Sequence, residues 1–364
     1  MNKMATRTIA RSNTPVGPSS ALFKQMRGLV ATGSFTLFGL MVLSIFLMPL
    51  AYMVTQSLKD EAQISDVSGP LWPAAAATFE YEGEQVPVYN VPTEEGMQSW
   101  ALVKKGREVS SFVDPANPEA GLIEWEGRWR TLTPAWTFAP RWENYSTAWR
   151  TSRFTLLLRN TLMIAVPSTI GAVASSIIVA YGFSRFRFPG KKLLFIILLG
   201  TIILPFWVTL IPTYALYQRI GWVGTFLPLI VPHFFANAWN VFLLRQYLMG
   251  IPRELDEAAM IDGAGPFRIL ISVILPQAAP AVTAVTLFHF FWAWNDFFGP
   301  LIYLSGKQDL FPISVGIMNF NAIYSVEPHL IQSIAVLALV IPITIFFFAQ
   351  QFFMQGVKIT GVEK

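Results

Sequence analysis

The chain has 364 residues, 53% of them hydrophobic and only 13% charged, with a formal net charge of +4 and a mean hydropathy of +0.48; soluble domains carry about 25% charged residues, so this composition belongs to a membrane protein. With no cysteine, a disulfide framework, a thiolate metal site, an iron–sulfur cluster and a cysteine nucleophile are excluded, and three scattered histidines, His233, His289 and His329, leave little to hold a metal. The basic excess calls for no nucleic-acid partner, because its uneven spread has a better explanation in membrane topology.

In chain order, residues 1–28 form a basic tail with Lys3, Arg7, Arg11, Lys24 and Arg27 and no acid. A span takes about 20 mostly apolar residues. The first, 29–54, is longer than the apolar run of a signal peptide, and no convincing small-residue cleavage site follows it, so it reads as a retained anchor. Residues 55–153 have a soluble composition, with acids at Glu80, Glu82, Glu84, Glu94 and Glu95. The runs 85–91, 99–103 and 122–132 mix apolar, aromatic and polar residues between Pro and Gly breaks and predict short strands. Trp100, Trp125, Trp129, Trp136, Trp142 and Trp149 leave two readings open, a sugar-stacking face or the core of a small β-rich domain with an interfacial belt. The sequon Asn144-Tyr145-Ser146 reads as incidental.

Five more apolar segments follow, 160–183, 193–215, 226–244, 278–304 and 330–353, inside a five-helix core of 154–354 that ends in a tail, 355–364. All are expected as helices, because an unpaired backbone is too costly in lipid. Arg185, Arg187, Lys191, Lys192, Arg245, Arg253, Arg268, Lys358 and Lys364 share a side with the N-terminal tail, while the opposite short loops hold only Arg219 and Lys307. Both termini and the connection 245–275 are therefore expected in the cytoplasm, and the long segment 55–153 outside. The predicted fold is an all-α polytopic membrane protein of six helices, with a β-rich external insertion between the first and second.

Within the spans, Pro167, Pro205, Pro212, Pro228, Pro232 and Pro342 predict kinks or breaks. Asn237, Asn240, Asn295 and Asp296 are the intramembrane polar candidates, with Phe288, Phe291 and Trp294 nearby. Amides and aromatic faces suit a neutral polyol. The alternative for Asn295 and Asp296 is that they brace a broken helix before Gly299-Pro300, and His289 reads as a packed or interfacial residue.

The connection 245–275 reads as a short helix and a sharp turn. Pro252 suits a first helical position, Glu254, Asp256 and Glu257 sit at the positive end of the helix dipole, and Gly263 can stop the helix in a left-handed conformation. Leu255, Ala258, Ala259 and Met260 or Ile261 give it a small apolar stripe, which fits either a groove on another protein or the membrane surface.

The string Glu257-Ala258-Ala259, Asp262-Gly263-Ala264, Phe267, Leu275-Pro276 and Pro280 resembles the EAA loop of permease subunits from ATP-binding-cassette importers. Flanking segments resemble the maltose-permease-like, sugar-importing branch: Arg141-Trp142-Glu143-Asn144-Tyr145, the segment 181–190, Leu204-Pro205, Ile211-Pro212-Thr213-Tyr214, Trp294-Asn295-Asp296-Phe297 and Pro300-Leu301. The resemblance spans the first apolar segment and about 140 to the C-terminus; the stretch of about 66–135 is much longer than is usual for this subunit type. It implies a multi-pass inner-membrane subunit importing a sugar, a di- or oligosaccharide, by alternating access. It implies that Glu257, Ala258, Ala259, Asp262, Gly263 and Ala264 form a coupling helix seated in a cleft of a cytoplasmic ATPase dimer, with Glu257 pairing with a basic residue there. Asn237, Asn240, Phe291, Trp294, Asn295 and Asp296 would lie along the translocation pathway. A second homologous permease and an external sugar-binding protein complete the implied assembly. The chain has no G-x-x-x-x-G-K-[ST] loop, so no catalytic residue, metal or cofactor is expected on it, and ATP and Mg belong to the partner ATPase. The same importer class acting on a non-sugar solute is the alternative. An ion-driven secondary transporter is disfavoured, because no internal repeat or coordinating mid-membrane cluster is visible.

Overall fold

The structure, a computed structural model, describes residues 18–359 except 67–68, 95 and 324–326, and of those the side chains outside 18–25, 319, 322–323 and 352–359. Lys3, Arg7, Arg11, Glu95, Lys364 and the side chains of Lys24 and Lys358 thus lie outside the described residues. The chain divides into two units, 1–53 and 54–364. The first is built on α1 (Pro18–Ser57), which is apolar enough over Met26–Ser57 to cross a membrane.

The second unit begins within the last turn of α1, at Val54. Asp60 caps α2 (Glu61–Ser65) by accepting from the Gln63 amide at 2.7 Å. Eight strands follow: β1 (Ala74–Ala76), β2 (Thr78–Tyr81), β3 (Glu84–Thr93), β4 (Gly96–Lys104), β5 (Val109–Val113), β6 (Ile123–Glu126), β7 (Thr133–Pro134) and β8 (Trp136–Phe138). β2 to β6 form an antiparallel meander with β7 also paired to β3, and β1 pairs with β8. Glu82 and Gly83, both at positive φ, make the two-residue turn between β2 and β3, a turn whose backbone twist matches that of the strands it joins. Side chains alternate along the strands: Val86, Val88, Ala101 and Val113 pack on one face, and Val91, Leu102 and Phe112 on the other, with Tyr89, Trp100, Trp125 and Trp129 against them. Those three tryptophans are packing residues, while Trp142 is exposed and stacks on Tyr145.

The strands are tied to the helices at one knot. On α3 (Glu143–Thr151), Asn144 is buried and its Nδ2 donates to the Ser57 and Lys59 carbonyls at 2.9 and 2.8 Å. Tyr145 and Ser57 share a 2.7 Å hydroxyl contact. Ser333, on the last helix, donates to the same Ser57 carbonyl at 3.2 Å. Lys59 is buried too, which pushes its pKa below the usual lysine value, and its Nζ donates to the Pro70 carbonyl. The sequon asparagine is thus a structural clamp.

The helical part continues as α4 (Phe154–Arg185), α5 (Lys191–Gly200), α6 (Phe206–Arg219), α7 (Leu227–Ile230), α8 (Ala238–Gly250), α9 (Glu254–Ile261), α10 (Pro266–Ile269), a π turn at Leu270–Ile274, α11 (Leu275–Gln277), α12 (Ala279–Asn295), α13 (Phe298–Tyr303), α14 (Ile313–Ile323) and α15 (Pro328–Ile359). α4 is the central post, packed on both α8 and α12. At Gly171 the Phe234 ring lies so close that an added Cβ would overlap it, the close approach that small residues allow between membrane helices.

Four of the described helical segments are long and apolar enough to cross a membrane by themselves, Met26–Ser57, Phe154–Arg185, Leu227–Gly250 and Pro328–Gln351. The segment expected as a helix at 193–215 is bent at Pro205, where the sequence placed a break, and 278–304 is interrupted at Asp296, between α12 and α13. α5 and α6 meet at 97° and the helices flanking Ala278 at 83°. At the first break Pro205 lacks an N–H and drives Leu204 out of the helical region, to ψ 116°. The expected helix 226–244 also starts irregularly, as α7 and a 3₁₀ turn, before α8 begins at Ala238. Expected helix ends shift with these breaks, and α8 runs to Gly250, beyond the expected start of the connection at 245.

Replacing Asn144 with Ala removes both amide donations and leaves buried carbonyls short of a partner, a loss of about 1–3 kcal/mol. A thermal unfolding scan of the detergent-solubilised chain should show a lower Tm for Asn144→Ala, and an unchanged Tm would refute the clamp.

Candidate functional site

α9 is held from below by the end of α4. Three acids lie in its first turn, and helical periodicity turns them to different sides. Asp256 points inward, 7% exposed, and its Oδ2 lies 3.1 Å from Nε of Arg185, the last residue of α4. Both terminal nitrogens of Arg185 donate to the Ile251 carbonyl at 3.1 Å, and the Tyr181 hydroxyl donates to the Pro266 carbonyl at 3.1 Å. Arg185 therefore grips the chain just before α9 and α9 itself, while Tyr181 grips the segment just after. Nearby, Arg245 donates to the Phe183 carbonyl at 3.2 Å and covers the Phe195 ring at 4.3 Å, which fixes α8 and α5 to the same end of α4.

Taking both charges of the Arg185–Asp256 pair out of water costs several kcal/mol per ion, so such a pair adds little net stability while its rupture is expensive. Asp256 Oδ1 is buried without a hydrogen-bond partner, which weighs further against a purely stabilising role. Its effect is to fix position.

The helix ends as the sequence predicts. The Gly263 amide donates to the Met260 carbonyl at 3.0 Å and the Ala264 amide to the Ala259 carbonyl at 2.9 Å, the pair of bonds of a Schellman stop, with Gly263 at φ +77°. A Cβ at Gly263 would meet nothing within 4 Å, so a side chain there would strain the turn and project outward without striking its own chain.

The six residues expected to couple divide by face. Glu257, Ala258, Asp262 and Gly263 are exposed, whereas Ala259 and Ala264 are half-buried against the cluster of Leu248, Ile269 and Ile274. Outside, Met260, Ile261 and Phe267 are 58%, 87% and 70% exposed, an apolar surface rimmed by Glu254, Glu257 and Asp262. Sequence reasoning missed the Arg185–Asp256 pair. The available signal was the three-residue spacing from Asp256 to Ala259, opposite the face carrying Glu257 and Ile261.

The polar residues of the spans separate into two groups. Asn237 and Asn240 line a cavity of about 330 Å³ with His233, Trp239, Phe288, His289 and Trp292. The His233 and His289 rings lie 4.9 Å apart and Trp292 within 5.5 Å of each. Asn237 caps α8, accepting from the Trp239 and Asn240 amides. Asn240 Nδ2 and His289 Nε2 are buried without a hydrogen-bond partner. His289, expected as a packed or interfacial residue, is buried and packs on His233 and Trp292, which line the cavity with it.

Phe291, Trp294, Asn295 and Asp296 do not line this cavity. Trp294 is buried in the main apolar core with Phe291 packed against that core. Asn295 donates back to the Phe291 carbonyl at 2.8 Å. Asp296 Oδ1 accepts from the Gly299 amide at 3.2 Å, and its carbonyl accepts from the Ser314 hydroxyl at 2.6 Å. These residues make the break between α12 and α13, the alternative left open by the sequence. Among the described residues, no cluster of His, Asp or Glu fits a metal ion.

Residues 150–359 match the family described as binding-protein-dependent transport system inner membrane component, and the chain belongs to that family. It is 34% identical to the osmoprotective compounds uptake permease protein GgtD of Synechocystis, over 72% of this chain and 88% of the relative. It is 30% identical to the α-glucoside transport system permease protein AglG of Rhizobium meliloti, over 56% of this chain and 55% of the relative. It is also 30% identical to the diacetylchitobiose uptake system permease protein NgcG of Streptomyces coelicolor, over 51% and 63%. The crystal structure of a bacterial ABC transporter that imports the acidic polysaccharide alginate has a chain of the same fold, with TM-score 0.60, 19% identity and coverage of 93% of this chain and 99% of that one.

Asp256→Ala leaves Arg185 buried without its counter-charge, a change expected to destabilise the α9 region by about 3–5 kcal/mol. Limited proteolysis should cut the 251–265 segment of this variant faster than that of the wild-type chain. Equal cleavage rates would show that the pair does not hold α9.

Proposed function

We propose that this chain is one permease subunit of an ATP-driven importer of di- or oligosaccharides, with six spans if each bent helix pair is counted as one. Both termini and the α9 connection face the cytoplasm in this reading, which the distribution of Lys and Arg supports, and the β-rich segment lies outside. The observation that carries it is α9: in a chain of this family, an exposed apolar tip rimmed by acids is clamped to the central helix and ended by a glycine with open space around it. Glu257, Ala258, Asp262 and Gly263 make the contact surface toward a cytoplasmic ATPase dimer, where ATP and Mg are bound. Ala259 and Ala264 set the helix on its support. A second permease and an external binding protein complete the assembly.

The solute is read from two supports. Relatives named for α-glucosides, diacetylchitobiose and arabinooligosaccharides favour a saccharide. The cavity on α8 and α12 offers aromatic faces and two polar side chains with an unpartnered atom, Asn240 and His289, which suits hydroxyls. The competing reading, a small osmolyte, is favoured by the relative named for osmoprotective compounds.

Gly263→Arg should lower uptake at least tenfold in cells carrying the whole importer while the ATPase subunit still hydrolyses ATP. The turn itself is strained by only about 1–2 kcal/mol, so the chain should still reach the membrane. Full uptake by this variant would remove α9 from coupling. Asn240→Ala should raise the KM of saccharide uptake several-fold with ATPase coupling retained, and an unaltered KM for every saccharide tried, with an osmolyte transported instead, would favour the competing solute.

A further inference from the structure

The β-rich segment contains a second concave site, chemically unlike the cavity between the helices. It is a cleft of about 870 Å³ between the loop of Lys105, Arg107 and Glu108 and the turn of Arg128, Trp129 and Arg130. Four cations face one acid. Among the described residues, the ion pairs involve Arg141, Arg153 and Arg185, and none involves the four cations of the cleft. Glu124 and Glu126, on the neighbouring β6, leave them unneutralised.

The cleft is shaped by close packing. A Cβ on Gly106 would overlap the Val109 carbonyl, and one on Gly127 would overlap the Trp125 ring, so each rim turns at a point that a side chain would block. Trp129 is half-buried, edge-on to Tyr89 at 6.1 Å and packed on the aromatic face of the sheet. Lys105 Nζ lies 5.5 Å from its ring centroid and the Arg130 guanidinium 5.3 Å. One anchored indole thus gathers two cations, from two separate stretches of chain, that repel one another. Holding like charges together around a concavity, with their carboxylate partners missing, raises the local potential for an anion.

We propose that this cleft binds an acidic oligosaccharide, its carboxylates taken by Arg107, Arg128 and Arg130. The guanidinium fork matches a carboxylate. The volume falls within the range of small-ligand sites, whereas an acidic protein face would need a broad contact of about 800 Å² on each partner. The choice of a saccharide rests on the importer reading above; the anion preference rests on the cleft alone.

The test is calorimetric titration of the full chain in nanodiscs of neutral lipid with tetragalacturonate, maltotetraose and tetraglutamate. Tetragalacturonate should bind at least tenfold tighter than either of the others, weaken at least fivefold between 50 and 500 mM salt as exposed charges are screened (about a threefold shorter Debye length), and lose tenfold or more in Arg128→Gln/Arg130→Gln. Should that pair disturb the turn, judged by a lowered Tm, Arg107→Gln on the opposite rim should still weaken binding several-fold. Absence of tetragalacturonate binding, equal binding of maltotetraose, tetraglutamate bound as tightly, or affinity retained in both variants would overturn the proposal. Because the titration involves neither ATP nor uptake, its failure leaves the importer reading to stand or fall on the uptake assays.

Discussion

The molecule turns on how one buried charge is placed. Arg185 ends the central helix, and its guanidinium holds both Asp256 of α9 and the carbonyl that precedes α9. Because α4 packs along α8 and α12, α9 is tied to the middle of the bundle and not to a loose loop. An apolar contact at the same place would be at least as stable, since desolvation offsets most of the attraction between buried ions. It would also be free to slide. The ion pair permits little sliding, which is what a helix proposed to transmit movement between proteins requires.

The same economy of polar groups shapes the breaks in the helices. Where a helix is interrupted in lipid, its freed amides and carbonyls need partners, and Asn237, Asn295, Asp296 and Ser314 supply them at the ends of α8, α12 and α13. Once those polar side chains are occupied by their own backbone, Asn240 and His289 remain, with Thr169 and Ser176 of α4, as buried groups without a partner, and of these Asn240 and His289 line the cavity. That contrast separates a bracing residue from a candidate ligand contact more sharply than residue type does.

The sequence made some of this legible and hid the rest for identifiable reasons. The stop at Gly263 was readable because a left-handed residue after a short amphipathic run has few alternatives to glycine, and the hydrogen bonds of residues 263 and 264 match it. The strand runs 85–91 and 99–103 fall within β3 and β4, since alternation over several residues reports the pleat directly. Apolar length, by contrast, cannot locate a bend: within 193–215 it is Pro205, not hydropathy, that marks the 97° turn, and the 83° turn falls at Ala278, the first residue of the expected span 278–304. Asp256 was hidden because a charge near a helix start reads as a solvated dipole partner until the arginine more than seventy positions earlier is brought to it. Phe291 and Trp294 lie off the cavity lined by His289 and Trp292 because residues two apart along a helix point to different sides.

The two proposed recognition sites lie in two dielectric settings. The cavity on α8 and α12 is lined by amides, imidazoles and aromatic rings, and a fixed cation there would bear a desolvation penalty in an apolar medium. The basic cleft lies on a sheet whose cations are exposed, where four like charges are tolerated because water screens them. A saccharide carrying both carboxylates and hydroxyls would present its charge to the cleft and its hydroxyls to the cavity. On the proposed reading, discrimination by charge is exercised where charge is cheap to keep, and the cavity needs only uncharged polar groups that bind weakly enough to let a solute move on.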